Sequence, residues 1–210
     1  MDNITQISLI TQGSQAISLI RTLFSLGFKP NQISVFTTDE KRNKCFTEFL
    51  DYYKINYLQK IPNVIDKGLV ISYSNSHKIN IESNATFINF HPGRLPYYKG
   101  SLSTIHSMIN NEKYVGGTWH YMSNKIDHGN ILYKFKIKIQ NQDTAFSLNH
   151  KIFNESINCL YIVLNKIQSK DIGEVQKNEG KFYYNKFPDL SGLDKDLQKR
   201  INYFPPYYTK

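Results

Sequence analysis

An asparagine and a histidine two positions apart, at the end of an apolar run, are the pair in this sequence best suited to chemistry. Residues 88–100 read Ile-Asn-Phe-His-Pro-Gly-Arg-Leu-Pro-Tyr-Tyr-Lys-Gly. Thr86 to Phe90 has the composition of a buried strand, and side chains alternate along a strand, so Asn89 and His91 share a face. Pro92 then stops the pairing. Ligands of open α/β sheets bind at the carboxyl ends of the strands. A histidine there is a proton carrier, and an asparagine beside it is an oxyanion donor. A carboxylate completes the set: Asp127, in Ser123-Asn124-Lys125-Ile126-Asp127-His128-Gly129, where Gly129 permits a tight turn before the next strand. A carboxylate near His91 fixes its ring and favours the imidazolium. Residue types alone leave a second reading open, in which all three are ordinary strand-end polar groups.

The surrounding pattern supplies the elements that must hold these residues. Gln6 to Thr11, Ile33 to Thr37, Leu69 to Tyr73 and Thr86 to Phe90 are short apolar runs. Between the first two, Ile17, Ile20, Leu23 and Phe24 recur at helical spacing, and residues 41–53 carry Phe46, Phe49, Leu50 and Tyr53 on one helical face. Strands alternating with helices imply crossovers and a mostly parallel sheet. Residues 91–102 are rich in Pro, Gly and Tyr and read as a long ordered loop. A short helix over 103–110, strands over Val115 to Met122 and Ile131 to Ile139, and an Asp143-Thr144 N-cap follow. Phe146, Phe153, Ile157, Leu160, Leu164 and Ile167 then predict one long amphipathic helix. After Gly173 the composition shifts, with a strand over Lys181 to Phe187, a helix over Asp194 to Asn202 and an aromatic, proline-rich tail. The expected fold class is α/β: a Rossmann-like, mostly parallel sheet flanked by helices, with residues 1–170 as the core and 171–210 as a C-terminal extension.

Composition narrows the function classes. The chain has 210 residues, 40% of them hydrophobic, which supports a packed core rather than disorder. No apolar run approaches the roughly 18–20 residues of a membrane span, and the first residues lack the pattern of a signal peptide. The two cysteines are too few for a disulfide framework or a structural zinc site, so the expected setting is cytoplasmic. The net charge of +9 is spread over lysines scattered among Asn and Ile, without a block of like charge. A solvated surface is the first reading, a phosphate-bearing substrate the second and nucleic acid the third.

Two further signals fall short. Gly13-Ser14 sits between a strand and a helix, but neither the Rossmann glycines nor Gly-Lys-Ser/Thr is present. The histidines show no metal-ligand spacing, so no metal is expected. His120 belongs to an alternating strand, where a sheet role and a functional role are equally open.

Several motifs in order carry a resemblance. Asn89-Phe90-His91-Pro92, Leu95-Pro96, Gly100, Gly116-Gly117-Thr118-Trp119-His120 and Asp127-His128-Gly129 resemble the folate-dependent formyltransferase family, with likeness over roughly residues 5–165. The resemblance implies Asn89, His91 and Asp127 as the catalytic trio and N10-formyltetrahydrofolate as co-substrate, without a metal. It implies a pterin pocket made largely of backbone around Ser72, Tyr73, Ser74 and Asn75 and around Ser123 to Asp127, including Ile126. Length argues against a methionyl-tRNA formyltransferase with its separate tRNA-holding domain. Phosphoribosylglycinamide formyltransferase matches in length, but its usual His-Pro-Ser is here His91-Pro92-Gly93. The stretch from Lys181 to Tyr184 and the tail Phe204-Pro205-Pro206-Tyr207 are similar to the C-terminal ends of nucleotide-sugar N-formyltransferases. That likeness implies a nucleotide-linked amino sugar as partner, taken to be dTDP-4-amino-4,6-dideoxyglucose of lipopolysaccharide O-antigen synthesis. Lys78 and Lys99 would meet the diphosphate, with Gly100, Phe204 and Tyr207 also on the substrate side. Nucleic acid and membrane are not expected partners, and a homodimer remains open. The rivals are a glycinamide ribonucleotide formyltransferase, a formyltetrahydrofolate hydrolase, and a non-catalytic basic nucleic-acid-binding module.

Overall fold

Four of the apolar runs become parallel strands of one sheet. The computed structural model describes residues 4–37, 44–177 and 180–203. Strands β1 (Ile7–Thr11), β2 (Ile33–Thr37), β4 (Leu69–Tyr73) and β5 (Thr86–His91) lie where their β-branched and aromatic composition predicts. A fifth, β3 (Asn56–Leu58), extends the sheet at one edge. Helix α1 (Gln15–Ser25) makes the first crossover, and α2 (Lys44–Tyr52) follows β2. The sequence then passes through β6 (Tyr98–Gly100), α3 (Ser103–Ile109), β7 (Tyr114–Tyr121) and β8 (Ile131–Lys138), with α4 (Ala145–Asn158) and α5 (Leu160–Gln168) next and β9 (Lys181–Tyr183) and α6 (Lys195–Asn202) last.

The seven-stranded sheet runs β3-β2-β1-β4-β5-β7-β8. Its first five strands are parallel, and β7 and β8 join antiparallel. The chain leaves β1 toward one edge and returns as β4 on its other side, so the order reverses between β1 and β4. Such a switch point opens a crevice beyond the strand ends. Leu9, Val35, Ile71 and Ile88 are aligned on one face and join the larger core with α1 and α4. Ile10, Phe36, Val70 and Phe87 form a smaller core on the other. Among the described residues no helix is long and apolar enough to cross a membrane.

Some elements differ from the sequence reading. The expected long helix is two, because the Ser156 carbonyl accepts from Trp119 Nε1 at 3.0 Å and from Cys159 Sγ at 3.3 Å. That carbonyl is thereby diverted where the helical ladder would continue, and α4 ends at Asn158. Thr144 caps α4, its hydroxyl accepting from Ser147 N–H at 3.0 Å. Asp194 caps α6 by accepting from Leu197 N–H at 2.9 Å. The expected strand over 181–187 stops at Tyr183. Part of the expected loop over 91–102 is strand β6, which pairs in parallel with β9. The tail beyond Tyr203, with Phe204 and Tyr207, lies outside the described residues.

Candidate active site

The register of the sheet assembles the site. Ile10 pairs with Ser72, Ser72 with Asn89 and Asn89 with His120, so one row crosses β1, β4, β5 and β7. His91 follows two residues after Asn89 and ends β5. Asp127 lies in the β7–β8 connection at φ 58°, a left-handed conformation that Asp tolerates better than most residues. From there its Oδ2 lies 3.4 Å from His91 Nδ1 and its Oδ1 3.5 Å from His120 Nε2. The Gly100 N–H donates to Oδ2 at 2.7 Å. Thus residues thirty-six positions apart in sequence meet, and a second histidine joins them.

His91 is gripped from both sides. Its Nε2 is hydrogen-bonded to the Tyr98 carbonyl of β6, and Ser103 Oγ lies 3.4 Å from the same nitrogen. Gly93 makes this closure possible: a Cβ there would collide with His91 Nε2, the Tyr98 carbonyl oxygen and Ser103 Oγ. Glycine at position 93 therefore has a steric reason. Asp127 Oδ1 and Oδ2 together face both histidines, while Asn89 Nδ2 is 3.1 Å from His120 Nε2.

Charge in this cluster is set by opposing effects. Burial by itself raises the Asp127 carboxyl; the charge of His91, the contact with His120 and the Gly100 N–H outweigh it and hold Asp127 down at about 2. Asp127 is therefore a carboxylate throughout the physiological range. His91, only 4% exposed, is pulled below its ordinary value, first by burial. Asp127 and the Tyr98 carbonyl push it back up, and His120 adds to the lowering. The sequence reading had Asp127 favouring the imidazolium; Asp127 does act in that direction, but desolvation is the stronger effect in the resting site.

A cavity of about 1090 Å³ opens over the cluster. Asn89, His91, His120 and Asp127 line it, together with Ser72, Ser74, Asn75, Ile126 and Gly100. Its rim carries Lys78 and Lys125, and Phe182 stands on its wall. The turn after β4 is fixed to β1, since the Gln12 N–H donates to the Ser74 carbonyl at 3.0 Å and Ser76 Oγ donates to Gln12 Oε1 at 2.8 Å. Two expected site residues are elsewhere. Tyr73 points into the core, hydrogen-bonded to Ser156 at 3.0 Å and stacked on Trp119. Its neighbours Ser72 and Ser74 alternate to the other side, as strand geometry requires. Lys99 is 1% exposed and off the cavity wall, and among the described residues Lys78 and Lys125 are the lysines that line it.

Two wall residues were open in the sequence without being named as site residues: Phe182, within the Lys181–Tyr184 stretch, and His120, for which a sheet role and a functional role were equally open. Phe182 reaches the cavity because β9 docks on β6. His120 reaches it through the antiparallel register of β5 and β7. A Gly-x-Thr-x-His strand was visible, but only pairing shows that its histidine stands opposite Asn89. No group of three or more potential metal ligands occurs among the described residues.

Comparison with known proteins bears on the family and the fold. Residues 78–164 match the family model described as formyl transferase. GDP-perosamine N-formyltransferase of Brucella melitensis is 26% identical over 224 residues, spanning 97% of this chain and 86% of that protein. A 4-N formyltransferase structure from Francisella tularensis superposes with a TM-score of 0.79 at 20% identity, covering 97% of this chain and 90% of that one. An N-formyltransferase from Helicobacter canadensis, in complex with folinic acid and dTDP-3-aminofucose, gives 0.79 at 18% identity, covering 93% and 79%.

Proposed function

Starting from a chain that belongs to the formyltransferase family, we propose that it transfers a formyl group from N10-formyltetrahydrofolate to the amino group of a nucleotide-linked amino sugar. The observation that carries this reading is the buried Asn89–His120–Asp127–His91 cluster beneath one large cavity. A volume of about 1090 Å³ lies just above the roughly 300–1,000 Å³ of a single small-molecule site, as a place where two substrates meet requires. Names among the relatives support the substrate class: a GDP-linked amino sugar for one and a dTDP-linked amino sugar with folinic acid for another.

The chemistry follows from the cluster. The sugar amine attacks the formyl carbon, a C–N bond forms and the carbonyl oxygen becomes an oxyanion. Asn89 donates to that oxygen. Growing negative charge beside His91, added to that of Asp127, raises the ring's proton affinity just as the attacking nitrogen must lose a proton. The proton passes from the attacking nitrogen to N10 through this network or a water, with His91 Nδ1 on the Asp127 side as the basic nitrogen, and the bond from N10 to carbon breaks, leaving the formamide and tetrahydrofolate. Asp127 stays ionised and stabilises the transient imidazolium. Lys78 and Lys125 meet anionic groups at the rim, and Phe182 offers an aromatic face to a base.

The finer assignment is dTDP-4-amino-4,6-dideoxyglucose, with the product serving O-antigen assembly. A formyl-transfer assay with dTDP-, UDP- and GDP-linked 4-amino and 3-amino sugars, glycinamide ribonucleotide and a no-amine control tests it. Turnover with a dTDP-linked 4-amino sugar supports the full reading. Preference for a GDP-linked sugar keeps the reaction and changes the nucleotide; turnover without amine replaces transfer by hydrolysis. Asn89→Ala should lower kcat about 10²–10³-fold, the usual effect of losing one oxyanion donor.

A further inference from the structure

We infer that His120 is a positioning residue for the transfer reaction: its Nε2 fixes the orientation of the Asn89 carboxamide and thereby decides which end of that amide faces the formyl oxygen. The inference rests on the functional reading above and extends it to a residue outside the Asn/His/Asp trio.

Register brings the two side chains together. Asn89 and His120 are direct partners in the antiparallel β5–β7 pair, and side chains of such partners stand side by side on the same face. The β7–β8 pairing shifts by a residue between Trp119 and His120. The skipped residue is Leu132 of β8, so β7 runs on through the irregularity. His120 is 2% exposed and on the cavity wall.

The hydrogen bonds then select one tautomer. His120 Nδ1 lies 2.7 Å from the Tyr121 carbonyl oxygen. A carbonyl only accepts, so Nδ1 carries hydrogen and, in the neutral ring, Nε2 carries the lone pair. That lone pair accepts from Asn89 Nδ2 at 3.1 Å. The Asn89 amide cannot flip without turning its own oxygen lone pairs against Nε2. Its Nδ2 therefore stays on the His120 side and keeps a second N–H for the cavity. A flipped amide would offer oxygen to the forming oxyanion, turning attraction into repulsion. Three neighbours face the ring's Nε2 side: Asn89, Asp127 Oδ1 at 3.5 Å, and His91 beyond the shared carboxylate. Asp127 thus lies between the two histidines, and with His120 Nε2 bare it is the Asn89 N–H that this nitrogen engages.

Two substitutions separate this role from simple packing. In His120→Asn the side-chain amide overlays Nδ1, so the bond to Tyr121 is retained and the reach to Asn89 is lost. In His120→Gln the amide reaches the position of Nε2. His120→Asn should lower kcat about 10²-fold, near the lower end of the cost of a lost oxyanion donor, with KM for both substrates within about threefold. His120→Gln should recover at least about tenfold of that loss, and melting temperatures of both should stay close to wild type. Equal kcat in the two variants, or wild-type kcat in His120→Asn, overturns the inference. Histidine ¹⁵N NMR of the unmodified enzyme decides the tautomer without any turnover: the Nδ1–H form is expected, and an Nε2–H form overturns the inference. Absence of formyl transfer by the wild-type enzyme would instead remove the functional reading, with the NMR result still standing for the Asn89–His120 pair.

Discussion

The two flanks of the cavity are built by different means. On the β1–β4 flank, the turn over Ser72–His77 is held by near neighbours: Asn75 Oδ1 accepts from His77 N–H at 3.2 Å, and the turn is tied to the adjoining strand end at Gln12. On the β5–β7 flank, the parts come from far apart. The Tyr98 carbonyl and Gly100 N–H of β6 hold His91 and Asp127, and β6 is itself held by β9 of the extension. Gln176, also of the extension, donates to the carbonyls of Asp127 and Gly129 at 3.0 and 2.8 Å. The first flank presents backbone on a locally determined turn; the second presents charge on a scaffold closed by long-range pairing. The first flank rests on local contacts, whereas the second rests on β6, β9 and Gln176 being in place.

The largest effect should come from the charged flank. His91→Ala removes the proposed proton carrier and should lower kcat about 10²–10⁴-fold, measured by single-turnover formyl transfer. A residual rate within tenfold of wild type would move the proton transfer elsewhere and remove the asymmetry between the flanks.

Next is the clasp between β6 and β9. Gly180 has φ 62°, and a Cβ there would collide with the Pro96 carbonyl, with Tyr97 Cα at 3.1 Å beyond it. Both contacts are backbone, so Gly180→Ala must push β9 away from β6. Overpacking of this sort costs about 1–3 kcal/mol, and a shift of β6 reaches His91 and Asp127 directly. A fall in kcat of about tenfold or more is expected, since ångström-scale misplacement of a catalytic group costs up to about 10²-fold. Gly192→Ala is the control: nothing lies within 4 Å of a Cβ there, and its stability should change by no more than about 0.5 kcal/mol. Equal kcat for the two variants would show that the extension is only a cover.

The same division explains what was legible in the sequence. Leu69 to Tyr73 and Ile33 to Thr37 declare themselves as strands because a parallel strand buried on both faces is a continuous apolar run. Asn89 and His91 were legible because period-two alternation and a following proline fix their face and their position. For His120 a sheet role and a functional role stayed equally open, because antiparallel register is a property of two strands and no single one encodes it. β6 was hidden for a related reason: three residues make a strand only when β9, some eighty positions later, lies beside them. Lys99 illustrates the converse, a lysine whose type suggested a phosphate contact and whose place in β6 is buried and off the cavity wall. The break at Cys159 depends on Trp119 reaching a helix carbonyl from β7, a tertiary contact that helical periodicity does not report.

A more modest effect concerns pH. His91 is lowered in the folded chain, chiefly by burial, whereas the unfolded value is about 6.5. Between the lowered value and about 6.5 the unfolded chain binds the extra proton, so stability falls as pH drops through that range and levels off below it. Asp127 acts in a separate window. Its carboxyl is depressed to about 2, so its contribution is complete above the unfolded value of about 3.9 and is lost only as pH falls toward 2. Denaturant titrations between pH 5 and 7 should therefore show a slope that His91→Gln reduces, with His106, also lowered by burial, keeping the remainder. A slope unchanged in His91→Gln would mean that the ring keeps its ordinary proton affinity despite burial.

The smallest effect should come from the opposite flank, at Ser74. This residue sits at φ 52°, and its hydroxyl donates to Gln15 Oε1 at 2.7 Å on the surface. Ser74→Gly removes one exposed hydrogen bond, worth about 0.5–1.5 kcal/mol, and relieves a left-handed conformation that costs a non-glycine residue about 1–2 kcal/mol. The two nearly cancel, and the carbonyl that Gln12 holds remains where it was. If this turn meets folate through its backbone, KM for folate should change by no more than about threefold, the equivalent of a surface substitution within about 0.5 kcal/mol. A rise beyond tenfold with unchanged melting temperature would mean that the Ser74 side chain itself contacts folate. The β1–β4 flank would then depend on side-chain identity as the β5–β7 flank does, and the contrast between local backbone and long-range charge would no longer describe this cavity.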